Sequence, residues 1–154
     1  MAKRRDMIRM SDQEMWDFIE TQKSIQVCTI NKDGSPHLTT MWFAVHDGKI
    51  VLETFTKSQK IVNLKRNPKI AVLLEDGTEY NELRGVTFNC DAELVDDYDT
   101  VHALHVDVVV RNQPGVTPEQ AEEFTREMSK KKTVILVKPE KVVSWDHRKL
   151  DVAY

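Results

Sequence analysis

The sequence predicts a mainly β, α+β domain in which six or seven antiparallel strands meander into a barrel, with a few helices at its periphery. Three observations predict it. Strand-like runs rich in β-branched and aromatic residues follow one another across turn signals, helix-start signals are few and fall outside those runs, and closure into a barrel pairs every strand edge. The 154 residues are 40% hydrophobic and 31% charged, the size and balance of one domain over residues 1–154 with a core of its own.

Taken in chain order, Lys3-Arg4-Arg5 reads as a flexible, solvated N-terminus. Ser11-Asp12-Gln13-Glu14 is a capping box followed by Met15, Phe18 and Ile19 at helical spacing, so a helix is expected from about Asp12 to Thr21. IQVCTI, Ile25 to Ile30, is a strand, and Lys32-Asp33-Gly34 is a turn. HLTTMWFAVHDGKIVLETFT then gives two long strands joined at Asp47-Gly48. A short helix from Ser58 to about Arg66 is stopped by Pro68, and KIAVLLE, Lys69 to Glu75, is the fourth strand. Leu83 to Val95 is the fifth, with a bend expected at Gly85. Asp97 to Gln113 reads as helix despite the β-branched Val106, Val108, Val109 and Val110. Thr117-Pro118-Glu119-Gln120 is a second capping box, opening a helix to about Lys131, and TVILVKP and VVSWD close the chain as two strands split by Pro139.

A net charge of −3 and a pI near 6.0 argue against a nucleic-acid partner, whose affinity would come from a basic surface. No apolar run approaches a membrane span of about 20 residues, and MAKRRDMIRM lacks the apolar stretch of a signal peptide, so a cytoplasmic, membrane-free protein is expected. Cys28 and Cys90 lie far apart inside strand-like runs and read as small buried hydrophobes in a reducing compartment.

The stretch TFTKSQKIVNLKRNP places Lys57 and Lys60 at the start of a helix, where free N–H groups already carry partial positive charge. Two readings stand. The lysines belong to a solvated basic face, or an anion sits there and takes the N–H groups, the hydroxyls of Thr54, Thr56 and Ser58, and the Lys60 ammonium together.

The order helix, strand, KDGSPHLTTMWFAVHDGKIVLETFTKSQKIVNLKRNPKIAVLL resembles the split-barrel family of pyridoxamine 5'-phosphate oxidase and the related flavin and deazaflavin reductases, over nearly the whole chain to Trp145. The most specific part is T-x-x-x-S-x-K, here Thr54, Ser58 and Lys60, followed by NLKRNP. The resemblance implies that these positions hold a cofactor phosphate, with Gln59 as an uncharged polar neighbour. It also implies that Leu38, Thr39, Thr40, Met41 and Trp42 lie along the flavin-like ring and its ribityl chain. The pyridoxamine-oxidising branch has an arginine and a lysine where this chain has Leu38 and Phe43, a departure that speaks against that activity itself.

Other candidates keep two readings each. In SWDHRKL, Trp145 packs near the ring and His147, Arg148 and Lys149 meet a negative group, or Trp145 plugs the barrel above a solvated tail. Arg84 contacts the ligand or forms a surface ion pair with Glu82 or Glu93. His102-x-x-His105-x-Asp107 has helical spacing, but no further ligand motif accompanies it, and no metal is expected. No catalytic acid, base or nucleophile stands out, as fits a protein whose cofactor carries the chemistry.

The function expected is hydride transfer between a bound deazaflavin, coenzyme F-420, or FMN and a small electron-poor molecule; the alternative is a non-catalytic flavin or haem carrier. Lys57, Lys65, Arg66, Arg84 and Arg148-Lys149 are cations available to the phosphodiester and oligoglutamate tail of F-420, which leans the choice toward it. A homodimer is expected as well. From His37 to Val45 both alternating faces are uncharged, with Leu38, Thr40, Trp42 and Ala44 on one and Thr39, Met41, Phe43 and Val45 on the other, and the barrel fills with only one of them. The resemblance implies a second barrel there, with the cofactor in the groove between the two.

Overall fold

The computed structural model describes residues 3–150. Its first helices are α1 (Arg4–Met7), one turn where a solvated tail was expected, and α2 (Asp12–Thr21), opened by the predicted capping box of Ser11 and Glu14. The strands β1 (Ser24–Ile30) and β2 (Pro36–Trp42) form a hairpin in register from Ser24↔Trp42 to Ile30↔Pro36. β3 (Ala44–His46) and β4 (Lys49–Phe55) form the next, and the positive φ of both Asp47 (48°) and Gly48 (67°) gives the tight turn that an Asp-Gly pair favours. α3 (Gln59–Arg66) leads to β5 (Lys69–Asp76), β6 (Arg84–Asp91) and β7 (Glu93–Val95). α4 (Tyr98–Asn112) and α5 (Pro118–Ser129) make a helical hairpin before β8 (Lys132–Val137) and β9 (Lys141–Asp146).

These strands make two antiparallel sheets, ordered β2-β1-β5-β6-β9 and β3-β4-β8-β7. Seven strand runs were predicted, and two of them are broken once. The run through Phe43 does not continue as one long strand: β2 belongs to the first sheet and β3 to the second. The fifth run likewise breaks at Ala92, and not at Gly85, so that β6 and β7 fall in different sheets. Two strands crossing between sheets give the split barrel.

Each break is held by a distant hydrogen bond. The Ala92 N–H donates to the Pro68 carbonyl at 2.8 Å. The Phe43 carbonyl, which has left its ladder, accepts from Asn112 Nδ2 at 2.8 Å and from the Arg111 guanidinium at 3.4 Å. That guanidinium lies 4.1 Å from the Phe43 ring centroid and also donates to the carbonyls of Ile19 (3.2 Å), Glu20 (3.4 Å) and Gln22 (2.8 Å). α2 has no basic residue in its own last turn, so Arg111 supplies the cation that its C-terminal carbonyls lack. Burial pushes the Arg111 pKa down, while Glu20 pulls it up.

Between the sheets, Phe18, Ile19, Ile25, Phe43, Ile50, Leu52, Ile61, Phe88 and Ile135 are buried in one core. Each such side chain contributes about 1.5–3 kcal/mol. A smaller cluster of Ala44, Val51, Val101, Leu104, Val108 and Val134 seats α4 on the outside of the second sheet. This burial is why the valine-rich segment is helical against its propensity. It also corrects the expected alternation: Ala44 is buried under α4 and does not share the exposed face of Leu38, Thr40 and Trp42, because the strand changes sheet at Phe43.

Candidate functional site

The two breaks leave a split. β2 has a neighbour on one side only, and β4 loses β3 beyond Val51 while staying paired with β8 as far as Phe55. From the Phe43 corner, Pro36–Trp42 and Leu52–Phe55 therefore run in different sheets, and α3, which follows β4, packs against β1 with Ile61 and Leu64 in the core. Asn63, fully buried, ties α3 to the end of β1 by donating to Thr29 Oγ1 and Asn31 Oδ1, both at 3.0 Å. Sequence reading missed Asn63, since a polar residue on a short basic helix carries no mark of its depth.

At the head of α3, Ser58 has the extended backbone of an N-cap (φ −66°, ψ 154°), yet its side chain makes no capping bond. Its Oγ is buried without a hydrogen-bond partner, and so is Thr39 Oγ1 on β2. Orphaned buried hydroxyls cost free energy, and a ligand that accepts from them removes the cost. Lys60, half-buried, has no carboxylate in ion-pair distance among the described residues. Burial pushes its pKa down, and Lys132 pushes it the same way. A helix start with free N–H groups, an unpartnered hydroxyl and an unpaired cation matches the chemistry of a phosphate.

Not every predicted partner is free. Thr56 Oγ1 bonds Thr133 Oγ1 at 2.9 Å, Thr54 is buried on the inner face, and Gln59 Nε2 donates to Asn63 Oδ1 at 2.8 Å. Lys57 and Lys65 are exposed, whereas Arg66 donates to the Ile30 carbonyl and to Asn63. Arg84 pairs with neither Glu82 nor Glu93. It forms a two-pronged bond to Asp76 (2.9 and 2.6 Å), which Gln22 also reaches, and lies 4.9 Å from the Phe18 ring centroid. The β5–β6 register puts Asp76↔Arg84 at the opposite end from Lys69↔Asp91, seven residues or about 23 Å away. Arg84 thus braces the sheet end next to α2.

Trp145 stands opposite Gly85, and its ring lies where a Cβ would be: a methyl there would fall 2.2 Å from Cζ2. The glycine accommodates the indole and does not bend the strand. The tail is solvent-facing, with the Arg148 side chain 55% exposed, but it is tied down by internal partners. His147 Nδ1 lies 2.8 Å from the Tyr80 carbonyl oxygen, Arg148 bonds Asp146 at 2.9 and 2.6 Å, and Lys149 reaches the Arg9 carbonyl and Glu14. Arg148 holds the Asp146 carboxyl below its ordinary range. On α4, His102 meets the Glu122 carbonyl and the buried His105 meets Ser129, so the two histidines are engaged with α5.

The outer face of the first sheet carries Leu38 (67% exposed), Thr40 and Trp42 (48%) on β2, continued across the sheet by Cys28, Ala71, Leu73 and Val143. A cavity of about 410 Å³ opens at its edge, lined by Cys28, Ile30, Ala71 and Cys90 with Lys69, Asp91, Glu140 and Lys141 around it. Cys28 is half-buried there, where full burial was expected, while Cys90 is buried. No helix among the described residues is long and apolar enough to cross a membrane.

The chain is similar to the conserved hypothetical protein Rv2991 of Mycobacterium tuberculosis, with 42% identity and a TM-score of 0.91 over 99% of this chain and 95% of that one. More distant structures share the fold. They include an F420 reductase (24% identity, TM-score 0.64, 82% of this chain and 93% of that one) and HutZ, the haem storage protein of Vibrio cholerae (16%, 0.65, 86% and 94%). No curated protein matches. The profile of the pyridoxamine 5'-phosphate oxidase family matches residues 11–146, which takes in the split, the head of α3 and both sheets, and the chain belongs to that family.

Proposed function

We propose that the protein is an oxidoreductase that binds coenzyme F-420 or FMN in the split and passes a hydride to a small electron-poor organic molecule. The observation that carries this reading is the head of α3, where Ser58 Oγ is buried without a partner beside the unpaired Lys60. The flavin or deazaflavin supplies the redox chemistry. Ser58, Lys60 and the first-turn N–H groups hold the phosphate, and Thr39 and its neighbours on β2 border the ring.

F-420 asks for cations beyond the phosphate site; of those counted in the sequence, Arg66, Arg84, Arg148 and Lys149 are engaged by hydrogen bonds or ion pairs within the chain, so the choice between cofactors rests on the exposed Lys57 and Lys65. Titration of the apoprotein with both cofactors at low and moderate salt decides it: tighter FMN binding, with no salt-sensitive preference for the glutamylated deazaflavin, excludes F-420. Lys60→Ala is expected to weaken binding of either by about 1.5–2 kcal/mol, the lower range for a charged hydrogen bond, since Ser58 and the helix N-terminus remain. Unchanged affinity by fluorescence titration would sink the assignment. An enzyme, unlike a carrier, oxidises the reduced cofactor faster with a nitroaromatic or quinone acceptor than the free cofactor reacts alone.

The same reading makes the protein a homodimer whose second copy covers Leu38 and Trp42. Leu38→Glu is expected to shift sedimentation at micromolar concentration from dimer to monomer, because it places a charge in a desolvated contact. A wild-type monomer that binds cofactor normally removes the dimer.

A further inference from the structure

We propose that Lys132 is a second cation of the anion site at the head of α3, and that Glu53 sets how much of its charge the anion meets. The inference rests on the phosphate reading above and adds residues outside the Thr54-Ser58-Lys60 motif.

Phe55↔Lys132 is the last pair of the β4–β8 ladder. Directly after it, the Thr56 N–H donates to the Lys131 carbonyl at 2.9 Å, and the Ser58 N–H donates to the Phe55 carbonyl at 2.8 Å, turning the chain into α3. Lys132 therefore stands where the sheet ends and the candidate site begins. Its Nζ lies 4.1 Å from the centroid of the Phe55 ring, itself 49% exposed, and 2.8 Å from Glu53 Oε2. Only 10% of the Lys132 side chain is exposed, so its charge is poorly screened by water. The Lys60 ammonium senses Lys132 as a like charge, which is part of why its pKa is lowered.

Glu53 is the counter-charge, and it is shared. Its Oε1 lies 3.8 Å from Nε2 of the buried His105, whose Nδ1 meets Ser129 Oγ at 2.9 Å. Burial pushes the His105 pKa down more than Glu53 raises it, so the ring is neutral at pH 7 and Glu53 faces one full cation, Lys132. Lys60 and Lys132 outnumber Glu53 by one positive charge, to which the helix N-terminus adds a fraction, while the Asp96 carboxylate at this end of the sheet accepts from Thr133 Oγ1, the partner of Thr56. A phosphate monoester complements that excess; a neutral ligand does not.

The test is a pair of substitutions expected to act in opposite directions. The dimer is stripped of cofactor and titrated with FMN and riboflavin, and with coenzyme F-420 and its phosphate-free chromophore. The readout is the ratio of affinities, with phosphate over without. Lys132→Met, which keeps the stem on Phe55, is expected to lower that ratio about ten-fold, the size of one poorly screened charge contact. Glu53→Gln releases the ammonium from its carboxylate and is expected to raise it about three- to ten-fold. A merely structural ion pair would make both variants less stable and move neither ratio, which overturns the inference. Should Lys132→Met fail to fold, the rise in Glu53→Gln alone supports the proposal and an unchanged or lowered ratio overturns it. Lys60→Met separates the two readings: if it lowers the ratio while the Lys132 and Glu53 variants do not, the phosphate site stands without Lys132. If wild type shows no preference for the phosphorylated forms, the site and this inference both fall.

Discussion

Phe43→Ala is expected to destabilise the fold by about 3–5 kcal/mol, the cost of removing a large aromatic side chain from a core that cannot collapse around the space. Phe43 is 0% exposed and sits at the corner where one strand leaves the first sheet and enters the second. Its ring fills the core while its carbonyl and ring face anchor Arg111 and Asn112. Urea unfolding of the variant checks this. A loss below about 1.5 kcal/mol would mean that the corner repacks without the ring.

Arg111→Met is expected to cost about 2–4 kcal/mol, because hydrogen bonds to a charged group are worth about 1.5–3 kcal/mol and their removal strands partly buried acceptors. The methionine retains an apolar stem on Phe43, so what is lost is the donor set that joins Ile19, Glu20 and Gln22 at the end of α2 to Phe43. Denaturant titration would show it as a lower midpoint at unchanged slope, and an unaltered midpoint would remove Arg111 from the account of the fold. The two losses should add to less than their sum, since both variants disturb one contact.

These residues mark where sequence reading stops. The helix from Asp12 to Thr21 was legible because its cap is local: Ser11 and Glu14 exchange hydrogen bonds three residues apart. The Asp47-Gly48 hairpin was legible for the same reason. The break at Phe43 was not, because MWFAV contains no glycine or proline and its cause, Arg111 and Asn112, lies 68 and 69 residues away. Gly85 misled in the opposite sense. A glycine inside a strand signals either a bend or a close neighbour, and the neighbour was the Trp145 ring. At the site, Ser58 and Lys60 lie in one short motif and could be read together, whereas the engagement of Arg66, Arg84 and Arg148 with internal partners depends on which side chains the sheets bring near.

The helical hairpin of α4 and α5 leaves the second sheet from β7 and returns to it in β8, and β7 and β8 are paired neighbours. Topologically it is a detour: a short turn joining Val95 to Lys132 would preserve the strand order, so chain length ought to be free to vary there. Arg111 and Asn112 withdraw that freedom, since the detour carries the strut for the Phe43 corner and the plug for the end of α2. During folding the same arrangement delays closure. The corner between the sheets lacks its carbonyl partners until a helix some 70 residues downstream has formed and docked, so the corner belongs to the last part of the barrel to become rigid.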